Sequence, residues 1–341
     1  MFQFLSSLFS PSALSSSSVD NDLIEAATDR VIEGTDSRLK ALGGYRRQLR
    51  EPVEKAAEYV IDLVASLPKP VEISRRTFGS DPRLHAFFAS VDHMQEKVGA
   101  AQTVDAYLKR TAVGDKSRLY GLLSMQREEK NRLGTVLQDD RIQRDVQQTA
   151  VNFLNHNFVG PSVSHEEAVQ NMKNSAFDFM INIALERIIA ERTRYAELEK
   201  QQLLLKQKLK TMRAGNWGLE GMLRPEMSGA KDYSSLEVQI DAVERELAQM
   251  GARHEMLDKN LQIIKDTLCN PEELLALRNI ELELDSMNIK ADASTAAKVH
   301  KLELIEAYSS IGAARILLPG WYPLNELPPG RASIADAMRY L

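Results

Sequence analysis

Two long heptad runs constrain this chain more than any other feature of its sequence. Seam residues are spaced alternately three and four apart along 181–212, and again along 236–268. Mostly apolar residues sustained at this spacing over several heptads are typical of a coiled coil. The two runs have about equal length, and a glycine-rich loop joins them. We therefore predict a long antiparallel coiled-coil hairpin over residues 161–269, with its tip loop at 214–233.

The heptad pattern leaves the pairing of the two runs partly open. If the two runs pair as antiparallel helices, Met212 lies opposite Leu236 and Ile181 lies opposite Leu268. Each seam residue between them then also lies opposite a seam residue of the other run. A slide of seven residues preserves this phase. A dimer of two chains would satisfy the same seams, so a homo-oligomer is an alternative. We favour a hairpin within one chain because a short connection costs little loop-closure entropy.

The tip stretch "AGNWGLEGMLRPEMSGAKDY" carries more apolar side chains than a connector needs. At the far end of a stalk, such side chains can pack only on each other or on a partner. Trp and Met are among the residue types enriched at protein interfaces. A local cap and a partner-binding tip both fit this pattern. The second interpretation predicts a protein partner of unknown identity that contacts Trp217, Leu219, Met222, Leu223 and Met227.

The start of the chain places four apolar side chains at helical spacing, Phe2, Leu5, Leu8 and Phe9. A serine-rich segment follows, and such segments behave as flexible linkers. Residues 1–18 are therefore predicted to be a flexible tail, either disordered or ending in a short amphipathic anchor for a membrane surface or a partner groove. The segment lacks the basic residues that strengthen attachment to membranes.

Helix signals run through residues 19–160, where we predict a compact helical bundle. Pro52 lies near the start of one periodic stretch, Asp81 precedes Pro82 at another start, and a further helix covers about 103–112. We interpret the segment from Leu119 to Asn157 as mainly helix. These residues and the hairpin place the chain in the mainly α fold class, a helical bundle base with a coiled-coil hairpin.

The pattern changes near the C-terminus. Residues 280, 282 and 284 are apolar and alternate with charged residues, which favours strands, so we predict a small antiparallel β element over 278–323. A helix over 271–288 is the alternative for its first part. A short helix is predicted after Ser333. Residues 270–341 would then form a C-terminal α+β subdomain.

Composition narrows the class of partner. The chain of 341 residues has 43 basic and 48 acidic residues, and this balance argues against nucleic acid as the partner. Its single cysteine, Cys269, cannot form a disulfide within the chain and fits a reducing compartment. No apolar run is long enough for a transmembrane helix. The expected location is cytoplasmic, with peripheral membrane contact as an alternative.

The sequence contains no recognisable motif for catalysis, cofactor binding or metal binding. "AVGDKS" lacks the frame of a phosphate-binding loop, H-E-x-x-H is absent, and the six histidines show no metal-ligand spacing. We therefore expect no cofactor and no metal. The leading hypothesis is a non-enzymatic interaction or scaffold protein that binds a partner through the tip. A peripheral membrane-associated protein, and an enzyme with an unrecognised site in the helical base, are the alternatives.

Overall fold

A computed structural model describes residues 21–111, 118–138, 141–215, 230–251, 255–291, 299–309 and 312–327. The chain divides into two compact units. The first takes in the chain up to Ala26 together with Glu54–Phe179 and Asn270–Leu341, and the second takes in Ala27–Val53 and Met180–Cys269. Each unit has a cluster of buried apolar side chains of its own.

A six-stranded sheet organises the first unit. Its strands are β1 (Val71–Glu72), β2 (Arg118–Gln138), β3 (Arg141–Ser162), β4 (Ala276–Leu284), β5 (His300–Tyr308) and β6 (Arg315–Pro323). They lie in the order β3-β2-β6-β5-β4 with antiparallel neighbours, and β1 pairs in parallel with β6. The pairing of β2 with β6 joins segments that are far apart in the sequence.

The helices of the described residues are α1 (Asn21–Gly34), α2 (Tyr45–Ala65), α3 (Arg75–Phe78), α4 (Pro82–Phe87), α5 (Val91–Val98), α6 (Gln102–Leu108), α7 (His165–Gly215), α8 (Ala230–Met250), α9 (Met256–Leu268) and α10 (Pro271–Leu274). Short 3₁₀ helices cover Ser37–Ala41 and Leu324–Glu326. The starts of several helices follow capping rules. Asp81 accepts a hydrogen bond from a backbone N–H of α4 and precedes Pro82, and Ser90 caps α5 in the same way.

The main core of the first unit contains side chains from the sheet and from α4, α5 and α6. Leu123 of β2, Leu304 of β5 and Ile316 of β6 belong to this core together with Leu84 and Met94. Burying an aliphatic side chain of this size stabilises the fold by about 1.5–3 kcal/mol. The sheet and the short helices therefore support each other, and neither could bury its apolar side chains alone.

The predicted helical bundle base is wrong because residues 118–138 and 141–162 pair as a long antiparallel β ladder. Side chains of β2 near β6 are buried or half-buried in succession, so this part of the strand shows no clear alternation. The β3 strand contains three irregularities of register, and Asp145, Asn155 and Gly160 lie at them with φ of 60°, 53° and 61°. Each bulge shifts the period-two pattern by one residue and so conceals the strand.

The predicted small β element near the C-terminus is also wrong in its extent. Strands β4, β5 and β6 exist, but they are half of a sheet that continues through β2 into β3. Residues 276–284 form a strand, and the alternative helix over 271–288 is limited to the single turn of α10. The short helix predicted after Ser333 lies outside the described residues.

The predicted antiparallel coiled-coil hairpin over residues 161–269 is wrong as well. Among the described residues α7 is the one long helix, and the second heptad run is divided into α8 and α9. The division begins at Gly251, whose φ of 78° is a backbone conformation that glycine adopts without steric cost. Heptad spacing indicates which face of a helix is apolar, but it does not reveal such a break.

Side chains of α7 and α8 nevertheless contact each other in the second unit. Leu198 lies in a buried cluster with Val243 and Met250. Ion pairs join Arg213 to Glu237 at 2.8 Å and Lys206 to Glu244 at 2.7 Å. Exposed ion pairs of this kind contribute little, so the small apolar cluster provides most of the stabilisation.

A buried carboxylate anchors the other end of the second unit. Asp36 accepts hydrogen bonds from Arg38 Nε at 2.9 Å and from Asn260 Nδ2 at 3.0 Å, and it forms an ion pair with Arg192. Burial raises the pKa of the Asp36 carboxyl, but the hydrogen bonds from Arg38 and the charges of Arg192 and Arg38 outweigh it and hold the pKa below its usual value. The ionised carboxylate thus links residues of α7 and α9 to the turn before the 3₁₀ helix.

Candidate apolar binding site

An apolar cavity of about 450 Å³ lies within the first unit. The sheet contributes lining residues from five strands, among them Leu122, Val159, Leu277, Ala307 and Leu317. The end of α2 and the residues after it contribute Leu63, Val64 and Leu67, and the first turns of α7 contribute Met172, Ala176 and Phe179. Two helices and a sheet therefore border it with mainly aliphatic side chains.

The cavity and the main core use opposite faces of the same strands. Successive side chains of a strand point to opposite faces of the sheet. Leu123 of β2 and Ile316 of β6 belong to the core, whereas their neighbours Leu122 and Leu317 line the cavity. This explains why these strands are apolar on both faces.

The spacing of apolar residues and a hydrogen bond from Tyr59 position the helices that line the cavity. Met172, Ala176 and Phe179 have the spacing that places side chains on one face of a helix. The Tyr59 hydroxyl of α2 donates a hydrogen bond to the carbonyl oxygen of Leu275 at 2.8 Å. Burial raises the pKa of Tyr59, which keeps the phenol protonated and able to donate. The hydrogen bond fixes α2 to the segment that leads into β4.

Polar side chains are few in the lining, and several lie around the connection between β5 and β6. Tyr308 and Ser309 end β5 and begin this connection, and Arg315 begins β6 opposite Ala307. The guanidinium of Arg315 donates from Nη1 to the carbonyl oxygen of Asn155 at 3.2 Å. Within the described ranges no carboxylate is paired with Arg315. Among the described residues that line it, the cavity thus combines mainly aliphatic walls with the single cationic group of Arg315.

A second pocket of about 360 Å³ lies near α4 and the end of β4, and polar groups make up more of its lining than they do in the first. His85 and His300 line it together with Asp81 and Asp285. The Asp81 carboxylate pairs with Arg83 at 2.7 Å. The Asp285 carboxylate accepts backbone N–H groups of the following turn at 2.8 Å. Both carboxylates therefore have an ion-pair or hydrogen-bond partner. These contacts explain their positions, and no catalytic role is needed to explain them.

A pair of histidines packs against Phe88 elsewhere in the first unit. The ring of His156 stacks on Phe88 with centroids 4.9 Å apart and lies 5.6 Å from the ring of His93. His156 Nε2 donates to the carbonyl oxygen of Phe87 at 2.9 Å. Burial lowers the pKa of His156 to about 4, so this side chain is neutral at neutral pH. The described part of the chain holds no group of three or more His, Cys, Asp or Glu arranged as a metal site.

The contact residues predicted from the sequence lie outside the described residues. This applies to the tip residues, Trp217, Leu219, Met222, Leu223 and Met227, and to the residues of the first segment, Phe2, Leu5, Leu8 and Phe9. Both sets therefore stay predictions. Cys269 is half-buried at the end of α9.

The cavity was missed by sequence reasoning because its lining comes from six separate segments of the chain. The one available signal is the apolar character of both faces of β2 and β6, which marks strands covered on both sides. None of the described helices combines the length and the apolar character that crossing a membrane requires. No family model, no curated protein and no solved structure matches this chain.

Proposed function

We propose that this protein is a non-enzymatic binding protein whose apolar cavity takes a small apolar ligand. The observation that carries this proposal is the cavity of about 450 Å³ with its mainly aliphatic lining. Sites for small molecules typically measure about 300–1,000 Å³ and combine apolar walls with a few polar groups. The cavity has both properties, and it lies between elements of regular structure.

The energetics of the site support the same proposal. Each Å² of apolar ligand surface removed from water contributes about 25 cal/mol of binding free energy. The walls belong to a paired sheet and to helices, and the Tyr59 hydroxyl holds α2 against the segment before β4. A preformed site loses less conformational entropy on binding than a flexible one.

Titration with Nile red, a neutral apolar dye, tests the proposal. We expect saturable binding with an increase in fluorescence. Ala176→Phe and Ala307→Phe fill the cavity from a helix and from the sheet, and each should weaken binding by roughly tenfold or more, which is about 1.4 kcal/mol. The matched control is Ala190→Phe, an exposed position on α7 outside the lining, which should bind the dye as the wild type does.

Circular dichroism of each variant shows whether it is folded. The proposal is wrong if the wild type does not bind the dye, or if both folded cavity variants bind it with unchanged affinity. A protein partner at the tip is a separate proposal that rests on the sequence of residues 214–233, and its test uses different residues.

A further inference from the structure

Polar residues line the apolar cavity on β2 (Ser124), on α7 (Asn171 and Ser175) and around the β5–β6 connection, and the charged one among those described is Arg315 at that connection. Ala307 and Arg315 are opposite each other in the ladder of β5 and β6, and Tyr308 and Ser309 follow Ala307 directly. Along β6 in the other direction, Leu317 lines the cavity with Leu122 of β2. The site therefore has its cationic group beside the β5–β6 connection, while the other described polar residues of its mainly aliphatic lining are neutral.

The Arg315 guanidinium has N–H donors beyond the one that bonds the Asn155 carbonyl oxygen. An arginine side chain carries several N–H donors arranged as a planar fork, and Nη1 of Arg315 uses one of them on the Asn155 carbonyl oxygen. A nearby arginine, Arg278, stacks on the Tyr308 ring at 5.4 Å, but its charge is already matched by Glu306. Arg315 has no such match within the described ranges.

We propose that the ligand of the cavity is a fatty acid, with its aliphatic chain along the apolar walls and its carboxylate on the guanidinium of Arg315. This inference rests on the proposed function of the cavity. Arginine suits carboxylate because the fork makes two parallel hydrogen bonds with it. A carboxylate moved next to apolar walls without a cation would bind weakly, since its desolvation would not be offset.

The size of the cavity agrees with one chain. Its volume of about 450 Å³ is near the lower end of the range for small-molecule sites. A neutral long-chain alcohol would fill the same walls but would leave the arginine without an anion.

Competition against bound Nile red separates the head group from the chain. Palmitic acid and hexadecanol have the same chain, and both are used below the concentrations at which they aggregate. We expect the wild type to prefer palmitate by roughly tenfold, about 1.4 kcal/mol. Arg315→Gln should remove this preference by weakening palmitate alone, and Arg315→Lys should retain part of it. The control is Arg118→Gln. Arg118 is an exposed residue of β2 that stacks on the Trp321 ring and does not line the cavity.

The outcomes distinguish this inference from the proposed function. Equal affinity of the wild type for palmitate and hexadecanol would overturn the fatty-acid assignment, and so would equal weakening of both by Arg315→Gln. Dye binding that neither competitor displaces would also overturn it, although the cavity would remain a binding site. If the dye does not bind at all, the proposed function itself fails.

Discussion

Glu306 shows how one residue can join three strands of the sheet. Its side chain is 2 % exposed. The carboxylate accepts hydrogen bonds from Arg127 Nη2 of β2 at 3.2 Å and from Arg278 Nε of β4 at 2.6 Å. A buried carboxylate is costly unless cations and hydrogen bonds compensate it. The two arginines therefore connect β2 and β4 to β5 through the Glu306 carboxylate.

Removal of both cations should destabilise the protein strongly. We expect Arg127→Met combined with Arg278→Met to lower the free energy of unfolding by about 3–5 kcal/mol, because Glu306 stays buried without a partner. Adding Glu306→Leu should recover most of this loss. Urea denaturation measures each value, and Lys301→Met, which breaks an exposed pair with Glu281, should cost less than about 1 kcal/mol. A triple variant no more stable than the double variant would contradict the role of the buried charge.

His156 should make the stability depend on pH. Burial lowers its pKa from the usual 6.5 to about 4, and the positive charges of His93 and Lys97 act in the same direction. Between these two values the unfolded chain binds a proton that the folded chain does not. Stability should therefore fall as the pH drops from about 6.5 to about 4, with no further contribution from this residue below that.

The variant His156→Gln tests this sign, because it removes the titrating group and keeps a donor for the Phe87 carbonyl oxygen. We expect its midpoint of thermal unfolding to vary less with pH across this window than that of the wild type. His165→Gln, at an exposed histidine, should keep the wild-type slope. An identical pH profile for His156→Gln and the wild type would show that His156 titrates normally.

At the scale of elements, the packing of α7 on α8 depends on a few apolar side chains. Leu198, Val243 and Met250 are buried together, while Leu203 and Leu204 of α7 are 58% and 55% exposed. The same helix therefore offers buried and exposed leucines in one sequence neighbourhood. Ion pairs line the contact, but exposed pairs contribute little to stability.

We expect Leu198→Ala to lower the free energy of unfolding by about 2 kcal/mol or more, because it leaves a cavity in the cluster. The matched change Leu203→Ala should stay within about 0.5 kcal/mol of the wild type. Urea titrations followed by far-ultraviolet circular dichroism measure both. Equal values for the two variants would mean that the cluster does not stabilise this helix pair.

At the scale of the whole molecule, the prediction concerns binding to a protein partner. The tip residues of 214–233 remain the predicted contact with a protein partner. We expect Trp217→Ala combined with Leu223→Ala to remove a partner found by affinity purification and mass spectrometry. Leu203→Ala with Leu204→Ala serves as the control, since it removes two exposed leucines from α7. If the tip variant retains every partner, the tip is a structural cap.

Local signals in the sequence predicted several helices correctly. The helix start at Asp81–Pro82 and the long helix α7 are present in the structure, and the helix predicted at about 103–112 is present as α6, Gln102–Leu108. A helix forms its hydrogen bonds between residues four apart and its caps within a turn. Its determinants are therefore contained in the segment itself.

The tertiary structure alone decided the sheet and the cavity. The partner of Leu123 in β2 is Leu318 in β6, and no spacing within either segment identifies that pair. The bulges at Asp145, Asn155 and Gly160 shift the phase of β3, so its alternation cannot be followed along the chain. Arg315 and Ala176 line one cavity only because the strands and α7 pack together. Strand pairing depends on contacts between distant segments, and that is why the sequence by itself determined helices but not the site.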